Sequence, residues 1–116
     1  VVAVTDSIQA AGLPDGSYRL GVNDVVVRDG DAKLASNGVR AGSTLTMDQA
    51  LRNLYTFTGL PLETLLPILT ENPAKLMGWQ DRKGSIAPGK DADLTVLDQH
   101  LQVAATYVGG QCVYHQ

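Results

Sequence analysis

The sequence predicts an α/β chain: one apolar strand of the parallel-sheet type, a short antiparallel meander, three helices and three closing strands. Three observations lead there. Residues 1–5, VVAVT, are β-branched at four of five positions with no polar alternation, the pattern of a strand buried on both faces. Three short β-type runs follow, punctuated by the turn pairs Asn23-Asp24, Asp29-Gly30 and Asn37-Gly38, which reads as a meander. From Thr46 the apolar spacing changes to that of a helix.

Taken in order, residues 10–17 (AAGLPDGS) form a loop around Pro14 and the turn pair Asp15-Gly16. The meander runs are expected over 18–22, 25–28 and 32–35. Thr46 and Gln49 have the spacing of a capping box. Ala50, Leu51, Leu54 and Phe57 recur at helical intervals, and Gly59 supplies the stop. A second helix is expected over 62–69 after Pro61, weakened by Pro67 unless that residue lies in the first turns. A third starts with Asn72 as cap and Pro73 in its first turn, and ends at Gly78. Ala87-Pro88-Gly89-Lys90 has proline and glycine where a type II turn requires them. Strands are expected over 92–97 and 102–108, the latter turned by Gly109-Gly110 into a hairpin with 111–114. The lone first strand has no parallel partner among these elements, and its backbone groups need one. With no initiating methionine ahead of it, the expectation is a piece of a longer chain.

Composition narrows the function classes. A net charge of −3 with interleaved signs gives no basic face for nucleic acid or an anionic membrane surface. No apolar run approaches the ~20 residues that span a bilayer, and no secretory pattern is seen. The single cysteine, Cys112, excludes an intrachain disulfide. It suits a reducing, cytoplasmic setting and is expected as a packed small hydrophobe.

Two places invite chemistry. Asp6 ends the apolar run, and in α/β folds catalytic groups gather at the carboxyl ends of parallel strands; the alternative is an aspartate closing a turn with its own side chain, which pattern alone favours. In RAGSTLT (40–46) a glycine and hydroxyls precede a helix start, exposing N–H groups that can hold an anion or a sugar hydroxyl; plain helix capping uses the same residues. His100 and His115 are expected on the surface, and Asp91, Asp93 and Asp98 as turn formers. Trp79 is expected in core or interface packing. No nucleophile elbow, phosphate loop or cysteine metal cluster is present.

Several stretches in order, VTDS, AAGLPDGSYRLG, AGSTLTMDQALRNL, LTENPAKLMGW, KGSIAPGKDADLTVLD and TYVGGQCVY, resemble the carboxyl-terminal part of the N-acetylglucosamine-6-phosphate deacetylase family of the amidohydrolase superfamily. The resemblance covers essentially the whole chain. GSIAPGKDADL is common to many amidohydrolases; AGSTLTM together with the TD strand end is far more particular.

The resemblance implies the carboxyl-terminal part of a distorted (β/α)8 barrel (last strand, β-meander insertion, closing helices) plus strands of a small β-sandwich. Residues 1–82 would belong to the barrel, with 1–5 as its eighth strand, and 83–116 to the sandwich. It further implies hydrolysis of an amino-sugar phosphate, N-acetylglucosamine 6-phosphate, to glucosamine 6-phosphate and acetate. Asp6 would be the catalytic acid/base, with possible additional contact to a metal, and Arg40, Ala41 and Gly42 the sugar-contacting loop. The implied cofactor is a divalent metal, zinc or iron, whose ligands lie upstream of Val1 in the remainder of the parent chain. A homodimer is also implied, and this chain alone is expected to be inactive. Ser7 stands where the family usually has alanine, with little expected consequence. Two other readings stay open: an amidohydrolase acting on another N-acylated amino sugar, and a non-catalytic β/α module.

Overall fold

Turn chemistry sets the register of the first sheet. The computed structural model describes residues 1–116, which divide into two compact units, 4–50 and 1–3 with 51–116.

In the first unit, β1 (Gly16–Leu20), β2 (Asn23–Arg28) and β3 (Asp31–Leu34) form an antiparallel sheet in sequence order. Asp29-Gly30 makes the β2–β3 turn as expected, with φ of 50° and 75°; positive φ at both positions matches the right-handed strand twist. The β1–β2 turn differs from expectation. Leu20 pairs with Asn23, so Gly21 and Val22 make the turn and Asn23-Asp24 begin β2. Only glycine enters the left-handed region there without a side-chain penalty.

One face of this sheet is apolar. Tyr18, Val25 and Leu34 lie in one cross-strand row, and Gly16, Val27 and Ala32 in the next. Val25, Val27 and Ala32 are buried with Ala10 and Ala41, and Ile8, Tyr18, Leu20 and Leu34 pack against them. Beyond β3 the chain reverses through Gly38 and returns antiparallel beside it: Leu34 N–H donates to Val39 O (2.8 Å) and Ala41 N–H to Ala32 O (2.9 Å).

The second unit holds α2 (Leu62–Leu69), α3 (Glu71–Leu76) and an antiparallel sheet of β4 (Leu94–Leu97), β5 (Val103–Val108) and β6 (Gln111–His115). The division between the units falls inside α1 (Met47–Thr58). Thr46 occupies the N-cap position of α1, its carbonyl accepting the first helical bond from Ala50 N–H (2.9 Å). Pro67 sits near the end of α2 instead of its first turns. Thr70, not Asn72, occupies the cap position of α3, because Asn72 is already helical and its amide donates to Val1 O (2.8 Å). Gly78 ends α3 as expected: its N–H reaches Lys75 O (3.1 Å) and Trp79 N–H reaches Ala74 O (2.8 Å), a Schellman closure.

Residues 1–5 form no ladder. Val1 and Val4 are 96% and 79% exposed: the expected lack of a parallel partner among the chain's own elements is seen, and burial on both faces is not. A parallel strand needs neighbours on both sides, and both sheets here are antiparallel meanders that do not take it in. Cys112 proves exposed on β6, whose five residues are all exposed, against the expected packing; Phe57 is exposed as well, and Trp79 is about half exposed, outside the core. The type II turn at 87–90 forms, with Lys90 N–H on Ala87 O (3.2 Å) and Gly89 at φ 86°.

The expected turn aspartates are structural, and more tied down than solvated charges. Lys83 bridges Asp91 (3.0 Å) and Asp93, Arg82 bonds Asp91 (2.8 Å), and Asp93 accepts from Gly109 N–H (2.8 Å). The Lys83 ammonium, first of all, holds Asp91 and Asp93 below the ordinary 3.8, and hydrogen bonds to Asp93 and then Asp91 raise Lys83 above 10.5. The depressed carboxylates therefore stabilise the fold above pH 3.8 and lose that contribution as pH falls through their lower folded values. Lys83 contributes fully below pH 10.5 and stops only as pH rises through its higher folded value. Thermal unfolding of the protein should show an acid-side drop below pH 3.8 that is shallower in Asp93→Asn; equal acid slopes in the two proteins would remove the network from the stability of this hairpin.

Candidate functional site

Residues far apart in sequence meet where the chain ahead of β1 runs beside the segment leaving β3. Ser7 and Ser43 form an isolated parallel bridge. Ser43 N–H donates to Asp6 O (2.8 Å) and Ile8 N–H to Ser43 O (2.9 Å). Two hydroxyls reinforce the crossing: Ser7 Oγ donates to Leu45 O, and Ser43 Oγ donates to Thr5 O. Asp6 sits at the centre with φ 51°, a left-handed conformation that aspartate tolerates better than most residues. Its carboxylate is exposed and forms no hydrogen bond or ion pair within the chain. It therefore does not close a turn with its side chain.

Gly42 brings the second group of expected residues to the first. A Cβ on Gly42 would lie 2.7 Å from Ile8 Cγ2, 2.9 Å from Asp6 O and 3.9 Å from Asp6 Oδ2. Only a residue without a side chain permits that approach at φ 69°. Ala41 turns its methyl into the core, and its N–H is already given to Ala32 O. The N–H of Gly42 has no partner in the chain, which leaves it free to donate. Arg40 projects to solvent, its Nε on Asp31 Oδ1 (3.0 Å), while Lys33 Nζ lies 3.2 Å from Asp31 Oδ2. The Arg40 guanidinium, then the Lys33 ammonium, hold the Asp31 carboxyl below its ordinary value.

An open cleft of about 510 Å³ adjoins this loop, lined by Asp31, Arg40, Gly42, Ser43 and Thr44 among others. Asp6 does not line it; Gly42 is common to the cleft and to the Asp6 contact. The capping alternative for 40–46 fails for two of its hydroxyls, while Thr46 keeps the N-cap position of α1. Ser43 Oγ and Thr44 Oγ1 donate to the carbonyls of Thr5 and Gly30, away from the start of α1. Asp31 and Ser43 are not individually marked by the sequence, and Ser7 is marked only as a departure from alanine with little expected consequence. Ser43 stands in the hydroxyl-rich stretch that is marked, but its acceptor lies 38 residues away.

No three His, Cys, Asp or Glu side chains come together in a way that could hold a metal ion. His100 lies in an exposed loop near the Gln99 amide, and His115 ends β6. No helix is long and apolar enough to cross a membrane.

Residues 8–113 match the amidohydrolase family. The chain is 40% identical over 114 residues to the N-acetylglucosamine-6-phosphate deacetylase of Bacillus subtilis, covering 98% of this chain and 28% of the relative. It is 39% identical over 111 residues to the N-acetylgalactosamine-6-phosphate deacetylase of Escherichia coli O157:H7, covering 96% and 29%. The crystal structure of N-acetylglucosamine-6-phosphate deacetylase from Thermotoga maritima superposes with a TM-score of 0.89 at 42% identity, covering 100% of this chain and 31% of that one. The chain thus spans less than a third of the length of each of these relatives.

Proposed function

The chain belongs to the amidohydrolase family, and we propose that it carries the acid/base carboxylate and a substrate loop of a deacetylase that converts N-acetylglucosamine 6-phosphate to glucosamine 6-phosphate and acetate. The observation that carries this reading is the packing of Gly42 against Asp6, which sets an uncommitted carboxylate beside backbone donors. Amide hydrolysis needs a group that takes a proton from the attacking water and returns it to the departing nitrogen, because an unprotonated amine leaves poorly. A carboxylate without a structural partner, held on a fixed backbone, can serve both positions. Arg40 and Gly42 offer main-chain groups for sugar hydroxyls, with Ala41 anchoring the loop through its buried methyl.

In this reading residues 1–82 belong to a (β/α)8 barrel, with 1–5 as its eighth strand, and 83–116 to a β-sandwich. The family is generally metal-dependent, but the residues of this chain do not fit a metal site, since catalytic sites of this type take about three protein ligands and none gather here. Donors for a divalent ion, zinc or iron, belong to the rest of the protein.

A second substrate is favoured by one observation: the relative named for the galactosamine sugar is 39% identical against 40% for the glucosamine one, so identity does not separate the epimers. Acetate release by the intact protein tests both. The glucosamine 6-phosphate substrate is expected to exceed its 4-epimer and the unphosphorylated sugar in kcat/KM by at least about tenfold, the discrimination that unpaired polar groups produce. A preference for the epimer would move the protein to the second substrate, and no acetate from any of the three would end the deacetylase reading.

A further inference from the structure

We propose that Ser43, assisted by Ser7, is a positioning residue that fixes Asp6 for proton transfer. The inference rests on Asp6 being the proton carrier. The two hydroxyls work as a reciprocal clasp. Ser7 reaches from the Asp6 segment to the carbonyl of Leu45, and Ser43 reaches back to the carbonyl of Thr5. Between them lie the main-chain bonds from Ser43 N–H to Asp6 O and from Ile8 N–H to Ser43 O. Leu45 N–H donates to Ser43 Oγ (3.2 Å), which turns the hydroxyl proton toward Thr5.

Asp6 is therefore held from both sides, by Thr5 and by Ile8, while its own side chain stays unbound. This explains how a residue at φ 51° is kept in a sparsely populated conformation, which persists only when its surroundings over-determine it. The direction of its Cα–Cβ bond follows from that backbone. A carboxylate that serves two proton positions tolerates little displacement: an error of about 1 Å costs on the order of 10²-fold in rate. Ser7, where little consequence was expected, supplies one arm of the clasp. Neither hydroxyl touches the carboxylate, so both act through the main chain.

The test uses acetate release by the intact protein. Ser43→Ala is expected to lower kcat about 10- to 100-fold with KM changed less than about threefold. Ser43→Thr, which keeps the hydroxyl, should restore kcat to within about threefold, and Ser7→Ala should cost about threefold. In an Asp6→Asn background Ser43→Ala should add almost nothing, because residues that act as a unit are not additive. Wild-type kcat in Ser43→Ala, a loss confined to KM, or an undiminished further loss in the double variant each overturns the positioning role. If Asp6→Asn itself keeps its turnover, the proton-carrier reading falls and the inference falls with it. A dead Asp6→Asn beside an unaffected Ser43→Ala removes the positioning role alone. Should Ser43→Ala not fold, the kcat of Ser43→Thr and Ser7→Ala decides: a loss with Ser43→Thr, or none with Ser7→Ala, is contrary to the clasp.

Discussion

Asp6→Asn is expected to abolish the proposed acetate release by the intact protein, lowering kcat by about 10²- to 10⁴-fold, the range attributable to one positioned acid/base group. The same variant keeps the fold. Asparagine matches aspartate in shape and is, with it, among the non-glycine residues that enter the left-handed region most readily, so φ 51° is retained. The carboxylate has no partner in the chain to lose. The thermal midpoint should accordingly stay within about 2 °C of the wild type, as for a surface change worth less than about 0.5 kcal/mol. Asp6→Ala is the poorer test, because alanine pays about 1–2 kcal/mol for that backbone and mixes a stability effect with the chemical one. Turnover above about a tenth of the wild type in a folded Asp6→Asn would remove the acid/base assignment.

Gly42→Ala damages both stability and rate. At φ 69° a Cβ costs about 1–2 kcal/mol. Here the methyl also meets Asp6 O at 2.9 Å and Ile8 Cγ2 at 2.7 Å, distances that force the two segments apart at a further 1–3 kcal/mol or so. Urea unfolding should show a total loss of about 2–4 kcal/mol, and the folded fraction should have a kcat lowered about 100-fold, because the displaced group is Asp6. Gly38→Ala is the internal control. Its φ is 71° but its Cβ would meet nothing within 4 Å, so it should pay the conformational cost and keep kcat. Equal losses in the two variants would mean that the contact with Asp6 has no bearing on function.

The meander, the three helices, the Asp29-Gly30 and Gly109-Gly110 turns and the type II turn at 87–90 were legible because each is specified within a few residues. What was not legible depends on partners distant in sequence. The β-branched run at 1–5 carries the signature of a buried parallel strand, but pattern reports a side chain's preference and not the presence of neighbours. Cys112 is a second case, since apolar character permits burial without enforcing it. Asn72 has the chemistry of a cap, yet the helix already begins at Glu71, behind Thr70, and the Asn72 amide N–H goes to Val1 O. At the candidate site Asp6 and Gly42 could each be picked out, but their contact follows from sheet register. Ser43 was hidden for the same reason: hydroxyls before a helix suggest capping, and only the returning chain supplies Thr5 O instead.

The crossing of the Ser7 and Ser43 segments also governs the order in which the molecule acquires its site. Its paired groups lie 38 residues apart, and closing so long a loop directly is entropically slow. The hairpins between them shorten the search, since each zips across a two-residue turn in microseconds and carries the far segment back toward the near one. The carboxylate and its loop thus come into register late, after the sheet that separates them in sequence, and a lesion at the Asp29-Gly30 turn would delay their meeting without touching either.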